Sequence, residues 1–231
     1  MPSIVITSAN RGLGFEFAKQ YAADCWRVYA ACRHPHAAAD LRGLEKASAG
    51  QVTVLTMDVT DIDSVRAAVT AIEGAAVDIL LNSAGVSDPS GQTAGAVDYK
   101  SWAQTLDVNT LGPARVTECF ASAVARSDRK LVVTISSGMG SLAENISGGS
   151  IAYRSSKAAV NMVMRTIAID LAPRGITCVV VSPGWVRTDM GGSDAKLAPA
   201  ESVAALKSLL KSLGPAQSGR FFRHDGSECP W

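Results

Sequence analysis

The chain has no cysteine pair at the spacing of a redox couple or a zinc knuckle: its five cysteines, Cys25, Cys32, Cys119, Cys178 and Cys229, are odd in number and widely scattered. This excludes a disulfide framework and points to a reducing compartment. No run of eighteen apolar residues occurs, so no membrane-spanning helix is expected. The opening MPSIVITSAN carries an apolar run far shorter than a signal-peptide core, and a cytoplasmic location is expected. Charge of one sign is also missing. Lys+Arg 22 against Asp+Glu 21 leaves a net +1, with no general field to draw in a polyanion, so a nucleic-acid partner is not expected. His34, His36 and His224 have no acidic or cysteine neighbours at ligand spacing, so no metal site is expected. Repeats and low-complexity tracts are absent.

What is present is a chain of 231 residues, 47% hydrophobic and only 6% aromatic, enough to bury one large aliphatic core. A single domain over 1–231 follows. Short β-branched runs at Ile4–Thr7, Arg27–Ala31, Val52–Met57, Val77–Leu81, Leu131–Ile135 and Thr177–Val181 alternate with longer Ala-rich segments of helical period. The helices are expected to start near Ala37, Asp61, Asp98, Ser150 and Pro199, several with Asp or Ser at the N-cap position. A last strand is expected at Arg220–Arg223. This alternation predicts a doubly wound parallel α/β sheet covered by helices on both faces.

The string TSANRGLG, Thr7–Gly14, stands where the first strand ends and the first helix begins, where a doubly wound sheet presents backbone N–H groups to a pyrophosphate. Glycine-bearing turns of this kind also occur without a ligand. The residues after the second strand read AACRHP. An acidic residue there would meet the ribose 2′-hydroxyl of NAD, whereas here Cys32 is followed by Arg33, with Arg11 as a second cation. Both point to NADP(H). A guanidinium about 4 Å from a phosphate is worth at most ~4 kcal/mol at an effective dielectric of 20, and less when exposed.

Tyr153 and Lys157 lie four apart in a segment of helical period, so both project from one helix face. A neighbouring ammonium favours a phenolate, which makes Tyr153 a candidate general acid or base. Tyr-x-x-x-Lys also arises often by chance. Upstream, the strand Leu131–Ile135 ends at Ser136 and Ser137, at the edge where open α/β sheets bind ligands. Asn109 falls inside the helical region from Asp98 and, taken alone, reads as a solvated amide.

Together these strings resemble the short-chain dehydrogenase/reductase family over almost the whole chain. TSANRGLG resembles its glycine turn, MDVTD its adenine-side acidic pair, NSAG at Asn82–Gly85 its NNAG, and SPGWVRTD its PG motif. The strings MGSLAEN, AYRSSKAAVNM and SGRFF are most similar to a carbonyl-reducing branch. The resemblance implies a Rossmann-type sheet of about seven strands and a catalytic set of Asn109, Ser137, Tyr153 and Lys157. It implies cofactor contacts from Ser8, Asn10, Arg11, Gly12, Leu13 and Gly14, from Arg33, from Asp58 and Val59, and from Asn82, Ala84 and Gly85. Tyr153 and Lys157 would join them, with Pro183, Gly184, Val186 and Thr188. Two residues depart from the pattern. Ser8 replaces the first glycine of the turn, and its Cβ costs ~1 kcal/mol if φ is positive. Ser83 replaces the second asparagine of NNAG.

The implied reaction is NADPH-dependent reduction of an aldehyde, ketone or quinone. Tyr153 would be the proton donor, Ser137 a donor to the same oxygen, Lys157 the group that lowers the tyrosine pKa and binds the nicotinamide ribose, and Asn109 the holder of a relay water. Met139, Trp185 and Met190 are expected to wall the substrate pocket, beneath a mobile lid near 185–198. A homodimer or homotetramer paired through the helices of Asn109 and Tyr153 is expected. The rival readings are a signalling or interaction protein that keeps the fold, and an NAD-dependent secondary alcohol dehydrogenase.

Overall fold

The computed structural model describes residues 1–87 and 92–231. The β-branched runs form seven strands: β1 Ser3–Ile6, β2 Arg27–Cys32, β3 Val52–Thr56, β4 Ile79–Asn82, β5 Leu131–Ile135, β6 Thr177–Ser182 and β7 Phe221–Arg223. All pair in parallel in the order β3-β2-β1-β4-β5-β6-β7. Parallel strands need crossovers, and the helical segments supply them: α1 Gly12–Ala23, α2 Ala39–Ala47, α3 Ile62–Ala71, α4 Tyr99–Leu106, α5 Gly112–Ala125, α6 Ile151–Leu171 and α7 Pro199–Ser212.

Alternation along each strand divides the core in two. Ile4, Ile6, Leu81, Val133 and Val181 face one way, packed under Phe17 and Tyr21 of α1, Leu41 of α2 and Leu206 of α7. Val5, Leu80, Val132 and Val180 face the other, packed under Val65 of α3, Phe120 of α5 and Met164 of α6. With both faces covered, the central strands are buried at every position, which is why they read as continuous apolar runs. Among the described residues, no helix is long and apolar enough to cross a membrane.

Differences from the sequence expectation are local. Val77 lies outside β4 because its N–H donates to the Ala123 carbonyl at the end of α5, 3.1 Å away. The segment expected to be helical from Ala37 begins as a 3-10 turn, Pro35–Ala37, with α2 proper from Ala39. Asp61 and Asp98 cap α3 and α4 as expected, accepting N–H groups of the first turn. Ser150 does not cap α6: its φ of +46° takes its hydroxyl out of reach of the helix N–H groups. Between α4 and α5 the helix carries a π turn, Asp107–Leu111, which contains Asn109. Such turns add a residue to a helix and are frequent at functional positions.

Candidate active site

At the carboxyl end of β1 the chain turns sharply into α1. Ser8 adopts φ +54°, the left-handed region, so the side chain that replaces glycine here sits on a strained backbone. Gly14 is obligatory for a different reason: a Cβ would lie 2.3 Å from the Ser8 carbonyl oxygen, so only glycine lets helix and turn meet. Thr7, just before the turn, accepts the N–H groups of Ser83 and Ala84 on its hydroxyl, each at 2.9 Å. The segment after β4 is therefore tied to the end of β1.

The same segment is held from its other side by Asn109. The amide oxygen accepts from Val86 N–H at 2.8 Å, and the amide nitrogen donates to the Val86 carbonyl at 2.8 Å and to Ser156 Oγ at 2.9 Å. Both amide protons are thus engaged. A buried asparagine inside a helix is costly unless its groups are paired, and here the π turn aims it at partners that pair them. Thr110 donates to the Ser156 carbonyl and Trp102 to Ser155 Oγ, so α4 and its π turn are fastened along α6.

α6 presents Tyr153 and Lys157 one turn apart, with the ammonium 5.7 Å from the tyrosine ring centroid. Lys157 is 4% exposed, and its Nζ donates to the Ile135 carbonyl at 3.0 Å. Burial draws its pKa down to about 8. Tyr153 moves the other way. Burial raises its phenol above the ordinary range, and the hydrogen bond with Ser137 pulls it part of the way back. The expected lowering of the tyrosine by Lys157 is therefore corrected: in this geometry burial dominates, and Ser137 is the group that favours the phenolate.

Ser137 follows β5 and accepts Met139 N–H at 3.1 Å, which opens a short turn, Gly138–Gly140, against α6. Gly140 makes that contact possible, since a Cβ there would stand 2.8 Å from the Lys157 main-chain carbon and Cβ. Ser136 donates to Asn161 Oδ1 at 2.7 Å, and Asn161 Nδ2 donates to the Gly140 carbonyl at 3.3 Å. Sequence reasoning missed Gly140, Asn161, Ser156 and Thr7. The available signal was a polar stripe on α6, with Ser156 three residues after Tyr153 and Asn161 four after Lys157.

Two adjoining cavities meet at Tyr153. One, about 300 Å³, is lined by Ser8 and the Arg11–Gly14 turn, by Ser83, Gly85 and Val86, and by Lys157, Pro183 and Thr188. The second, about 720 Å³, is lined by Ser137, Met139, Tyr153, Gly184, Trp185, Val186, Met190 and Arg223. Leu13, Tyr153, Pro183, Thr188 and Met190 belong to both. The first cavity suits a dinucleotide: its wall is a glycine turn at a helix start, and its floor carries the buried Lys157. Gly85 faces both polar groups: a Cβ there would make ordinary contact with Lys157 Nζ at 3.6 Å and Asn109 Oδ1 at 3.5 Å.

Several expected cofactor residues line neither cavity. Asn82 turns its side chain into the interior, where Nδ2 donates to Thr117 and Thr134, so it lines neither cavity. Val59 is buried against Gly112 of α5. Asn10 and Ala84 line neither cavity, and Ala84 donates its N–H to Thr7 Oγ1. Asp58 accepts both the N–H and the hydroxyl of Thr60. Burial would raise its pKa, but those bonds and the nearby charges of Arg33 and His34 hold it below the usual carboxylate value. Arg33 is exposed at the end of β2, beside Asp58 and outside the first cavity. Arg11 lines that cavity and pairs with Asp189 across its mouth at 3.6 Å. The segment after Gly184 is bonded to itself: Trp185 Nε1 donates to the Gly191 carbonyl at 2.8 Å, and Arg187 donates to the carbonyls of Ala195 and Lys196 at 3.0 Å.

The comparisons with known proteins agree with this geometry. Residues 2–197 match the family model described as short chain dehydrogenase. C-signal of Myxococcus xanthus is 46% identical over 155 residues, covering 67% of this chain and 93% of that protein. The carbonyl reductase Sniffer of D. melanogaster superposes with a TM-score of 0.94 at 31% identity, over the whole of both chains. The NADPH-bound carbonyl reductase from chicken fatty liver superposes with a TM-score of 0.93 at 29% identity, over 100% of this chain and 99% of that one. The Rossmann-type sheet, the glycine turn and the Ser137, Tyr153 and Lys157 cluster at its carboxyl edge thus place the chain in the short-chain dehydrogenase/reductase family of oxidoreductases.

Proposed function

We propose that the chain is an NADPH-dependent carbonyl reductase that converts an aldehyde, ketone or quinone to the alcohol. The observation that carries this reading is the junction of the two cavities, where the Tyr153 phenol stands between a cleft walled by the glycine turn and a second cavity, with Ser137 beside it. The Arg11–Gly14 turn and Lys157 would hold NADPH in the first cavity, which would supply a hydride to the carbonyl carbon. The Tyr153 hydroxyl gives its proton to the carbonyl oxygen, and the Ser137 hydroxyl donates a hydrogen bond to that oxygen as charge develops on it. A phenol whose pKa burial has raised is protonated at neutral pH, as a proton donor must be. Lys157 Nζ and Asn109 Oδ1 lie on the same side of Gly85, and Asn109 Oδ1, accepting one N–H, keeps one lone pair for a relay water.

The preference for NADPH is supported by Arg11, which lines the first cavity, and by the NADPH-bound state of the chicken neighbour; Arg33, exposed beside Asp58 beyond that cavity, is the second cation proposed for the 2′-phosphate. Met139, Trp185 and Met190 form the substrate wall, and 185–198 acts as a lid that moves as one hydrogen-bonded unit. Leu111, Met162 and Ile169, exposed on the helices of Asn109 and Tyr153, support pairing of subunits there as a homodimer or homotetramer. Five free thiols suit a cytoplasmic protein. The likeness to C-signal favours one second reading, a signalling or interaction role on the same fold.

The test is oxidation of NADPH and of NADH by the purified chain across aldehydes, ketones and quinones. Turnover with NADPH, at higher kcat/KM than with NADH, is the expected result. Cofactor binding with no turnover on any compound would favour the interaction reading instead.

A further inference from the structure

Arg223, the last residue of β7, lines the second cavity together with Ser137, Tyr153 and Trp185. It is the only charged side chain among the described residues lining that cavity, whose other walls are apolar or neutral. Its guanidinium is half-buried, and its one hydrogen bond among the described residues runs from Nη2 to Glu144 Oε1. Nη1 points elsewhere. It lies 3.9 Å from where a Cβ of Gly138 would stand, one residue past the serine at the reacting centre. A guanidinium held at one nitrogen and open at the other is a preorganised donor site for an anion: the carboxylate partner restrains its rotamers, and the planar fork leaves further N–H donors free. The guanidinium stays partly open to solvent, so an anion can reach it without displacing Glu144.

We infer that Arg223 determines substrate class: it binds the carboxylate of a carbonyl compound whose reacting C=O lies against Ser137 and Tyr153 and whose apolar body lies against Trp185. Glu144 is the positioning residue that holds the guanidinium. This inference rests on the proposed carbonyl reduction, and its test separates the two.

The first measurement compares kcat/KM with NADPH for 4-carboxybenzaldehyde and 4-formylbenzamide, which differ in charge and hardly in shape. The wild-type chain is expected to prefer the carboxylate by tenfold or more, through KM. In R223Q the ratio should fall to about one, while R223K keeps part of the preference. The double variant R223Q/E144Q, which leaves no unpaired carboxylate, should match R223Q and controls for misfolding. A wild-type ratio near one, or a ratio unchanged in R223Q, overturns the inference and leaves carbonyl reduction standing. The second measurement needs no turnover: calorimetric binding of 4-(hydroxymethyl)benzoate and 4-(hydroxymethyl)benzamide to the NADP-loaded chain. Tighter binding of the carboxylate, lost in R223Q, supports the inference even if no compound is reduced, and equal binding overturns it.

Discussion

Gly140 lies directly against Lys157, with room for a hydrogen and none for a methyl group, since a Cβ would meet the lysine's main-chain carbon at 2.8 Å. The turn that carries Ser137 is seated on α6 through this contact. Gly140→Ala is expected to push the turn off α6, costing about 1–3 kcal/mol of stability by overpacking. It should also lower kcat by about 100-fold, because Ser137 moves relative to Tyr153. Urea denaturation and steady-state kinetics would check this, and an unchanged kcat would show that the contact does not position the serine.

Ser137 is the neighbour that favours the Tyr153 phenolate. In alcohol oxidation the phenolate is the base, so the rate rises as the phenol ionises. Ser137→Ala is expected to move that rising limb to higher pH and to lower the maximal rate by roughly 100-fold. A pH profile of alcohol oxidation in both proteins measures the two effects separately.

Tyr153→Phe removes the proposed proton donor and keeps the ring. Reduction should fall below about 1% of wild type, within the range ascribed to general acid catalysis, while NADPH binding, followed by fluorescence titration, changes little. Retention of more than a few per cent of the rate would contradict the assigned role.

Lys157 provides a stability test with a defined sign. Its folded pKa is about 8 against the ordinary 10.5. Between these values the unfolded chain holds a proton that the folded chain does not, so stability rises with pH across that window and is lower below it. Lys157→Met is expected to stabilise the cofactor-free protein at pH 7 by up to about 3 kcal/mol, with the gain fading towards pH 10.5, and to abolish reduction. Urea midpoints at the two pH values test this. A destabilised variant at pH 7 would mean that the bond to Ile135 outweighs the buried charge.

Ser8 is strained at φ +54°. Ser8→Gly relieves that strain at the expense of a more flexible unfolded chain, for a net gain of roughly 0.5–1 kcal/mol. That corresponds to a rise in Tm of about 1–4 °C in a domain of this size. Differential scanning calorimetry reads it directly.

The sheet was legible because buried parallel strands must be apolar throughout, so β5 and β6 stand out as Leu131–Ile135 and Thr177–Ser182 with almost no boundary error. Tyr153, Lys157 and the glycine turn were legible because their spacing is local. Contacts between chain-distant residues were not. Nothing in the string NSAG says that Asn82 turns inward to Thr117 and Thr134, or that Thr7 and Asn109 grip the following loop from opposite sides. Arg223 stood in a recognised strand, but its place beside Gly138 depends on how β7 docks next to β6.

The π turn at Asp107–Leu111 also decides how this stretch of chain tolerates change in length. One residue of an α-helix corresponds to a rotation of about 100°. Deleting a single residue within the turn would heal the helix and swing α4 round α5 by that angle. The seam of α4 with α6 and the seat of α5 on the sheet could then not both be kept. A one-residue deletion here is therefore more damaging than removing a whole turn from an exposed loop, and Asn109 is the first group it would displace.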